Sequence, residues 1–189
     1  MPEDYYRVCR ECKKTSRVGA QFCSHCGKAM PKEVEIFFSY AHRDEELLED
    51  LITHLTILRR TGLAMLWYDQ DISKGTEWKP TIFEHLDVAD IILLLVSPSF
   101  IASDFSYSVE LERAMERHGR NEACVIPVIL RPVSWHDTPF GILQALPKNA
   151  KPIVSWGNRD EALLNVTQGI QSVLKERFLL VPVKSQKRP

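Results

Sequence analysis

The segment Ile91–Val96 consists of six apolar residues with no polar position among them. A strand with one face in water alternates apolar and polar residues. One that does not alternate is buried on both faces, as in a parallel sheet with helices on either side. The run is also far short of the roughly 18 residues that a membrane helix requires. The flanking segments follow the alternation this implies. Residues 34–38 form a short apolar strand. Asp44 is placed to cap a helix carrying Leu47, Leu48, Leu51, Ile52, Leu55 and Leu58 at helical spacing, and Gly62 ends it. Residues 63–68 read as a second strand, followed by a polar loop to Trp78 and a helix with Ile82, Phe83, Leu86 and Ala89. Beyond the central strand, the pattern predicts a helix over 106–118, a strand over 125–130 and a short fifth strand over 152–155. A last helix, 160–178, carries Leu163, Val166, Ile170, Val173 and Leu174 on one side. A long bare loop over 131–150 is unexpected in such a domain, so a helical turn should break it near 140–146. Five β/α alternations predict an α/β fold with an open, doubly wound, five-stranded parallel sheet.

The N-terminal part has a different character. Residues 1–32 carry seven Lys/Arg against three Asp/Glu, a net +4, while the remainder carries −5, so the chain as a whole is −1. Four of the five cysteines lie in this basic part, and Pro31 interrupts the chain before the first apolar strand. The organisation expected is a small domain over 1–31, a main domain over 32–178 and a C-terminal tail over 179–189, of which 184–189 are polar, basic and expected to be poorly ordered. Cys9-x-x-Cys12 and Cys23-x-x-Cys26, ten residues apart, form a paired motif that supplies four thiolates to one tetrahedral ion. Gly27 suits the tight turn after the second pair. A segment of about 30 residues buries too little apolar surface to fold alone, so a structural Zn²⁺ is its natural staple. Disulfides are disfavoured because the rest of the chain reads as cytosolic. The segment resembles the short zinc ribbons attached to many prokaryotic signalling proteins.

Composition narrows the functional classes. With 44% hydrophobic and 26% charged residues, the chain is neither disordered nor fibrous. No N-terminal basic stretch leads into an apolar core of the kind a secretory signal has, so a cytoplasmic location and no membrane partner are expected. Four thiolates around Zn²⁺ add −2 and bring the basic segment down to about +2. Its only aromatics are Tyr5, Tyr6 and Phe22, so nucleic acid is not an expected partner. In a doubly wound sheet, ligands bind at the carboxyl ends of the strands, here 39–43, 68–78, 97–107 and 131–137. Neither the glycine-rich dinucleotide fingerprint nor the P-loop pattern occurs, which disfavours a Rossmann dehydrogenase and a P-loop NTPase. Cys124 opens an apolar strand and reads as a small core residue.

Five segments carry a specific resemblance. Residues 36–44 (I-F-F-S-Y-A-H-R-D) resemble the first-strand box of a prokaryotic TIR domain, and 68–78 (Y-D-Q-D-I-S-K-G-T-E-W) the loop after its second strand. Residues 89–98 (A-D-I-I-L-L-L-V-S-P) resemble the third-strand box, and 126–132 (I-P-V-I-L-R-P) the fourth strand. Residues 100–110 (F-I-A-S-D-F-S-Y-S-V-E) resemble the loop and helix that carry the family's catalytic glutamate. The order is that of the family, over about residues 34–175. The resemblance implies a flavodoxin-like fold and one of two activities, cleavage of NAD⁺ or non-enzymatic assembly through TIR–TIR contacts. It also implies NAD⁺ as substrate, self-association and, for prokaryotic members, antiphage defence.

By the same resemblance Glu110 is the catalytic residue. Ser39 and Tyr40 line the adenosine–ribose side, Asp71 faces substrate, and Trp78 stacks on a flat ring or anchors a neighbouring subunit. Many enzymatic relatives place Trp four residues before the glutamate. This chain has Ser106 there, flanked by Phe105 and Tyr107 as the remaining aromatic platform. The chemistry itself asks little. Loss of nicotinamide leaves oxocarbenium-like charge on the ribose, which one adjacent carboxylate can stabilise while holding the sugar hydroxyls. At about 100° per residue, Tyr107, Leu111, Ala114, Met115 and His118 form an apolar arc beside Glu110, leaving it at the boundary between core and solvent. An ordinary boundary glutamate would pair with Arg113 or Arg117 on the same helix. The zinc ribbon is left to meet an unidentified trigger or partner.

Overall fold

The computed structural model describes residues 5–9, 11–17, 20–30, 33–68, 78–103, 109–178 and 180–182. The main domain is built on four parallel strands, β3 (Val34–Ser39), β4 (Ala64–Trp67), β5 (Ile91–Val96) and β6 (Cys124–Ile129), in the spatial order β4-β3-β5-β6. Helices α1 (Glu45–Arg60), α2 (Trp78–Val88), the short α3 (Pro98–Ile101), α4 (Val109–Gly119) and α5 (Arg159–Phe178) connect and cover them. Ahead of this lie two short strands, β1 (Tyr5–Val8) and β2 (Thr15–Arg17), and a last strand, β7 (Leu180–Pro182), follows α5.

The central strand behaves as its composition requires. All six residues of β5 are fully buried, and the pleat sends them alternately to two cores. Ile91, Leu93 and Leu95 join Ile36, Phe38 and Val128 beneath α1 and α5. Ile92, Leu94 and Val96 join Phe37, Val125 and Ile129 beneath α2 and α4. Each such side chain contributes about 1.5–3 kcal/mol by leaving water. Helix α1 has Glu45 and Glu46 in its first turn and Arg59 and Arg60 in its last, matching the helix dipole at both ends. Gly62, at φ +63°, ends the helix in the left-handed conformation that glycine adopts without strain.

Some expectations need correction. The fifth strand is not formed: Ile153–Ser155 is a 3₁₀ turn, and the parallel sheet has four strands. The edge of β6 is instead occupied by Leu146, whose N–H donates to Pro127 O at 2.8 Å and whose carbonyl accepts from Ile129 N–H at 2.8 Å. Pro147 has no N–H with which to extend this bridge, so the edge is closed by one residue. Ile153 still supplies a fully buried side chain, which explains why the segment reads as apolar. Secondly, Asp44 makes no side-chain cap to α1 and is spent elsewhere, as described below. Within the C-terminal segment, β7 pairs antiparallel with β1 (Tyr5↔Pro182, Tyr6↔Val181, Arg7↔Leu180), and β2 completes a three-stranded sheet; residues 184–189 lie outside the described residues. The chain's two ends therefore share one sheet. The loop over 131–150 is broken by turns rather than by a helix around 140–146, and its 3₁₀ turn lies at Lys148–Ala150.

Candidate active site and metal centre

The two C-x-x-C segments form the same turn twice. Lys13 N–H donates to Cys9 O at 3.0 Å and Gly27 N–H to Cys23 O at 2.9 Å, while Cys9 N–H and Cys23 N–H reach Lys14 O and Lys28 O at 2.9 and 2.7 Å. The residue after the second cysteine of each pair is left-handed, Lys13 at φ +58° and Gly27 at φ +70°. The glycine was legible in the sequence; the lysine, which tolerates that conformation at a cost of about 1 kcal/mol, was not. The turns bring the four sulfurs within 4.8 Å of one another, with Cys9–Cys26 and Cys12–Cys23 at 3.6 Å. Tetrahedral sulfurs about 2.3 Å from a metal lie roughly 3.8 Å apart, against about 2.05 Å in a disulfide, so the four sulfurs have the spacing of a cage that could hold one metal ion. None of the four is in a disulfide. The Ser16 hydroxyl and then the His25 N–H hold the Cys23 thiol down to about 5 against the cost of desolvation. Cys26 is pushed up to about 12: the Lys28 N–H lowers it, but desolvation and the sulfurs of Cys9, Cys12 and Cys23 together prevail. A divalent cation among the sulfurs is what allows all four to ionise.

In the main domain the chain leaves β3 toward β4 on one side, and β5 returns on the other side of β3. The carboxyl ends of β3 and β5 thus form the switch point at which doubly wound sheets open a crevice. Asp44, from the turn after β3, is 1% exposed there. Its Oδ2 accepts a short hydrogen bond from Ser97 Oγ at the end of β5, and Arg131 Nε, just beyond β6, stands 2.9 Å from its Oδ1. That second contact is an ion pair without hydrogen-bond alignment. Ser97, fully buried, also caps α3 by accepting Phe100 N–H at 3.0 Å. One carboxylate therefore ties together the ends of three strands. Sequence patterning gave no sign of this, because Asp44, Ser97 and Arg131 lie far apart along the chain and share no period.

Glu110 sits in the first turn of α4, half-buried, with Leu111 and Ala114 on the core side. It has no hydrogen-bond or ion-pair partner among the described residues. Neither neighbouring arginine neutralises it. Arg113 grips both oxygens of Asp87, its Nη2 at 2.7 Å from Oδ2. Arg117 donates to Leu86 O and faces Glu122. Ser39 ends β3, buried, in register with Leu94 of β5. Tyr40 follows it, half-buried against the α1 side of the core, with its ring edge-on to His42 at 6.1 Å. Asp71, Phe105 and Tyr107 lie outside the described residues; Trp78 opens α2, and its side chain is likewise outside the description. Cys124 is half-buried and its thiol is pushed up by burial, against the opposing charge of Arg177, so it has the character of a core residue rather than a nucleophile. Two clefts, of about 640 and 490 Å³, run between α5 and the segment 135–150, and neither includes Ser39, Tyr40 or Glu110. Leu146 and Gly169 line both, and a Cβ at Gly169 would meet the Leu146 side chain.

Fold and site together define a flavodoxin-like α/β domain whose strand ends carry the buried Asp44–Ser97 pair, together with a four-cysteine cluster that could hold a metal ion. Residues 36–164 match the sequence model of the TIR domain, and the chain belongs to that family. It is also similar to the uncharacterized protein y4lF of Sinorhizobium fredii (strain NBRC 101917 / NGR234), with 48% identity over 136 residues. That match covers 72% of this chain and 42% of y4lF, so the chain spans about two fifths of that relative. Among the described residues, no helix is long and apolar enough to cross a membrane.

Proposed function

We propose that this protein cleaves the nicotinamide–ribose bond of NAD⁺ with Glu110 as its catalytic carboxylate. The observation that carries the reading is that Glu110 stands at the carboxyl side of the sheet, half-buried and unpaired among the described residues, while both arginines of its own helix are engaged elsewhere. A carboxylate kept free of cations at the strand ends retains its charge for a developing cation. Bond cleavage expels neutral nicotinamide and leaves positive charge on the ribose, which Glu110 stabilises while accepting hydrogen bonds from the ribose hydroxyls. The acceptor that then captures the ribose carbon decides between hydrolysis, cyclisation and ADP-ribosyl transfer. Ser39 and Tyr40 border the adenosine side, and Asp71, Trp78, Phe105 and Tyr107 complete the pocket. Membership of the TIR family, which includes NAD-cleaving enzymes, supports the assignment.

The ion in the ribbon is Zn²⁺ on this reading, because four thiolates at tetrahedral spacing favour it. The protein acts in the cytoplasm in antiphage defence, with assembly through TIR–TIR contacts and a trigger received at the ribbon. The test is chromatography of NAD⁺ reaction mixtures at graded protein concentrations. Nicotinamide release that rises with protein concentration and disappears in Glu110→Gln is expected. Release that is unchanged by that substitution excludes Glu110. Assembly at high concentration with intact NAD⁺ would favour a TIR adaptor instead.

A further inference from the structure

We infer that Arg131 is the phosphate-binding residue of this site, held by Asp44 for the pyrophosphate of a dinucleotide; the identity of that ligand rests on the NAD⁺ reading above. Arg131 follows β6, and its backbone N–H points to Val96 O at the end of β5, at 3.5 Å. Its side chain is 47% exposed, yet Nε stands 2.9 Å from a carboxylate that is almost wholly buried. Arginine–carboxylate pairs are frequently bidentate, with two parallel N–H···O bonds. Here the second oxygen of Asp44 is taken by Ser97, and Nη1 and Nη2 have no partner among the described residues. Both Nη donors thus remain at the strand ends, coplanar, on a guanidinium that the ion pair keeps beside Asp44. Such a fork matches two non-bridging oxygens of a phosphate.

The placement relative to Glu110 suits a dinucleotide. β5 and β6 are neighbours through Val96↔Ile129; Arg131 lies just past the end of one and Glu110 in the first turn of the helix after the other. The cation would face the pyrophosphate, one ribose away from the bond that the carboxylate attends. Arg113 and Arg117, bound to Asp87 and Leu86 O, cannot take this part without giving up those contacts. Asp44 serves as the positioning residue: it removes the rotamer freedom that a half-exposed arginine would otherwise lose on binding.

The test is calorimetric titration of the full chain with ADP-ribose and, separately, with adenosine, which lacks the phosphates. Arg131→Lys keeps a positive charge against Asp44 and removes the fork. ADP-ribose should bind about 10- to 100-fold more weakly to this variant, the loss of two charge-assisted hydrogen bonds, with adenosine affinity unchanged. An ADP-ribose affinity within about twofold of wild type overturns the inference, as does a wild-type protein that binds ADP-ribose no more tightly than adenosine. Should Arg131→Lys melt early, the double variant Arg131→Met/Asp44→Asn leaves no buried charge unpaired and is read the same way. A wild-type protein that binds ADP-ribose through Arg131 but releases no nicotinamide would sink the cleavage reading and leave this one standing. Nicotinamide release with an unchanged KM in Arg131→Lys would do the reverse.

Discussion

Asp44 offers the sharpest test of how the carboxyl edge is held together. As a helix cap, its replacement by alanine would cost about 1 kcal/mol, independently of Ser97. The structure assigns it a different task, and the cost follows from its partners. In Asp44→Ala the fully buried Ser97 hydroxyl loses its acceptor, at about 1–3 kcal/mol. Arg131 loses an ion pair but is half-exposed and can turn to water, so that contact is worth only about 0.5–1 kcal/mol. The total is about 2–4 kcal/mol, or a fall in melting temperature of roughly 5–15 °C for a chain of this size. Asp44→Asn keeps an acceptor for Ser97 and should lose only about 1 kcal/mol. The decisive measurement is a double-mutant cycle with Ser97→Ala, by urea unfolding followed by far-ultraviolet circular dichroism. Once Ser97 is truncated, the carboxylate has no hydroxyl donor left to strand. The double variant should then be more stable than the sum of the single changes by about 1–3 kcal/mol. Additivity within about 0.5 kcal/mol would refute the three-strand tie and return Asp44 to the role of a simple cap.

Other outcomes follow from the same structure. Elemental analysis should find one zinc per chain, and chelation should raise amide exchange in β1 and β2 while leaving β3, β5 and β6 protected, because only the first two depend on the cysteine cage. His118 Nδ1 accepts the N–H of Val125 at 3.0 Å, which only the neutral ring can do, and burial together with the charge of Arg177 lowers its pKa. Its contribution to stability is therefore complete above the unfolded value of about 6.5 and is lost as pH falls below it; His118→Gln should flatten that part of a pH–stability curve. Gly141→Ala would place a methyl group 2.1 Å from His136 O, a backbone atom that cannot rotate away, and should destabilise by about 1–3 kcal/mol or more in the same unfolding assay.

Much of the fold was readable residue by residue. The run Ile91–Val96 announced a strand with two buried faces, and both faces are buried. The leucines of α1 and the apolar side of α5 line one core as their spacing required. The paired C-x-x-C spacing pointed to one cage, and the sulfurs meet. What failed was local sequence read without its neighbours. Residues 152–155 look like a strand because Ile153 is a core residue, but whether they pair depends on who already occupies the edge of β6, and Leu146 does. Asp44 looks like a cap because it precedes a helix, but a buried serine and an arginine from two other strands compete successfully for its carboxylate. Glu110 was placed by likeness to a family; periodicity alone would have paired it with Arg113 or Arg117, and the structure shows both bound to other groups.

The chain's own order of residues determined the alternation of strand and helix, the two-sided burial of the central strand and the four-thiolate motif, because each rests on spacings shorter than a few turns of backbone. The packed molecule alone decided which strand lies beside which, that the N- and C-terminal segments share a sheet, and that Asp44, Ser97 and Arg131 converge. Those outcomes are settled by competition for the same hydrogen-bonding positions among groups far apart in the chain, up to the 177 residues between Tyr5 and Pro182, a contest that no local window of sequence contains.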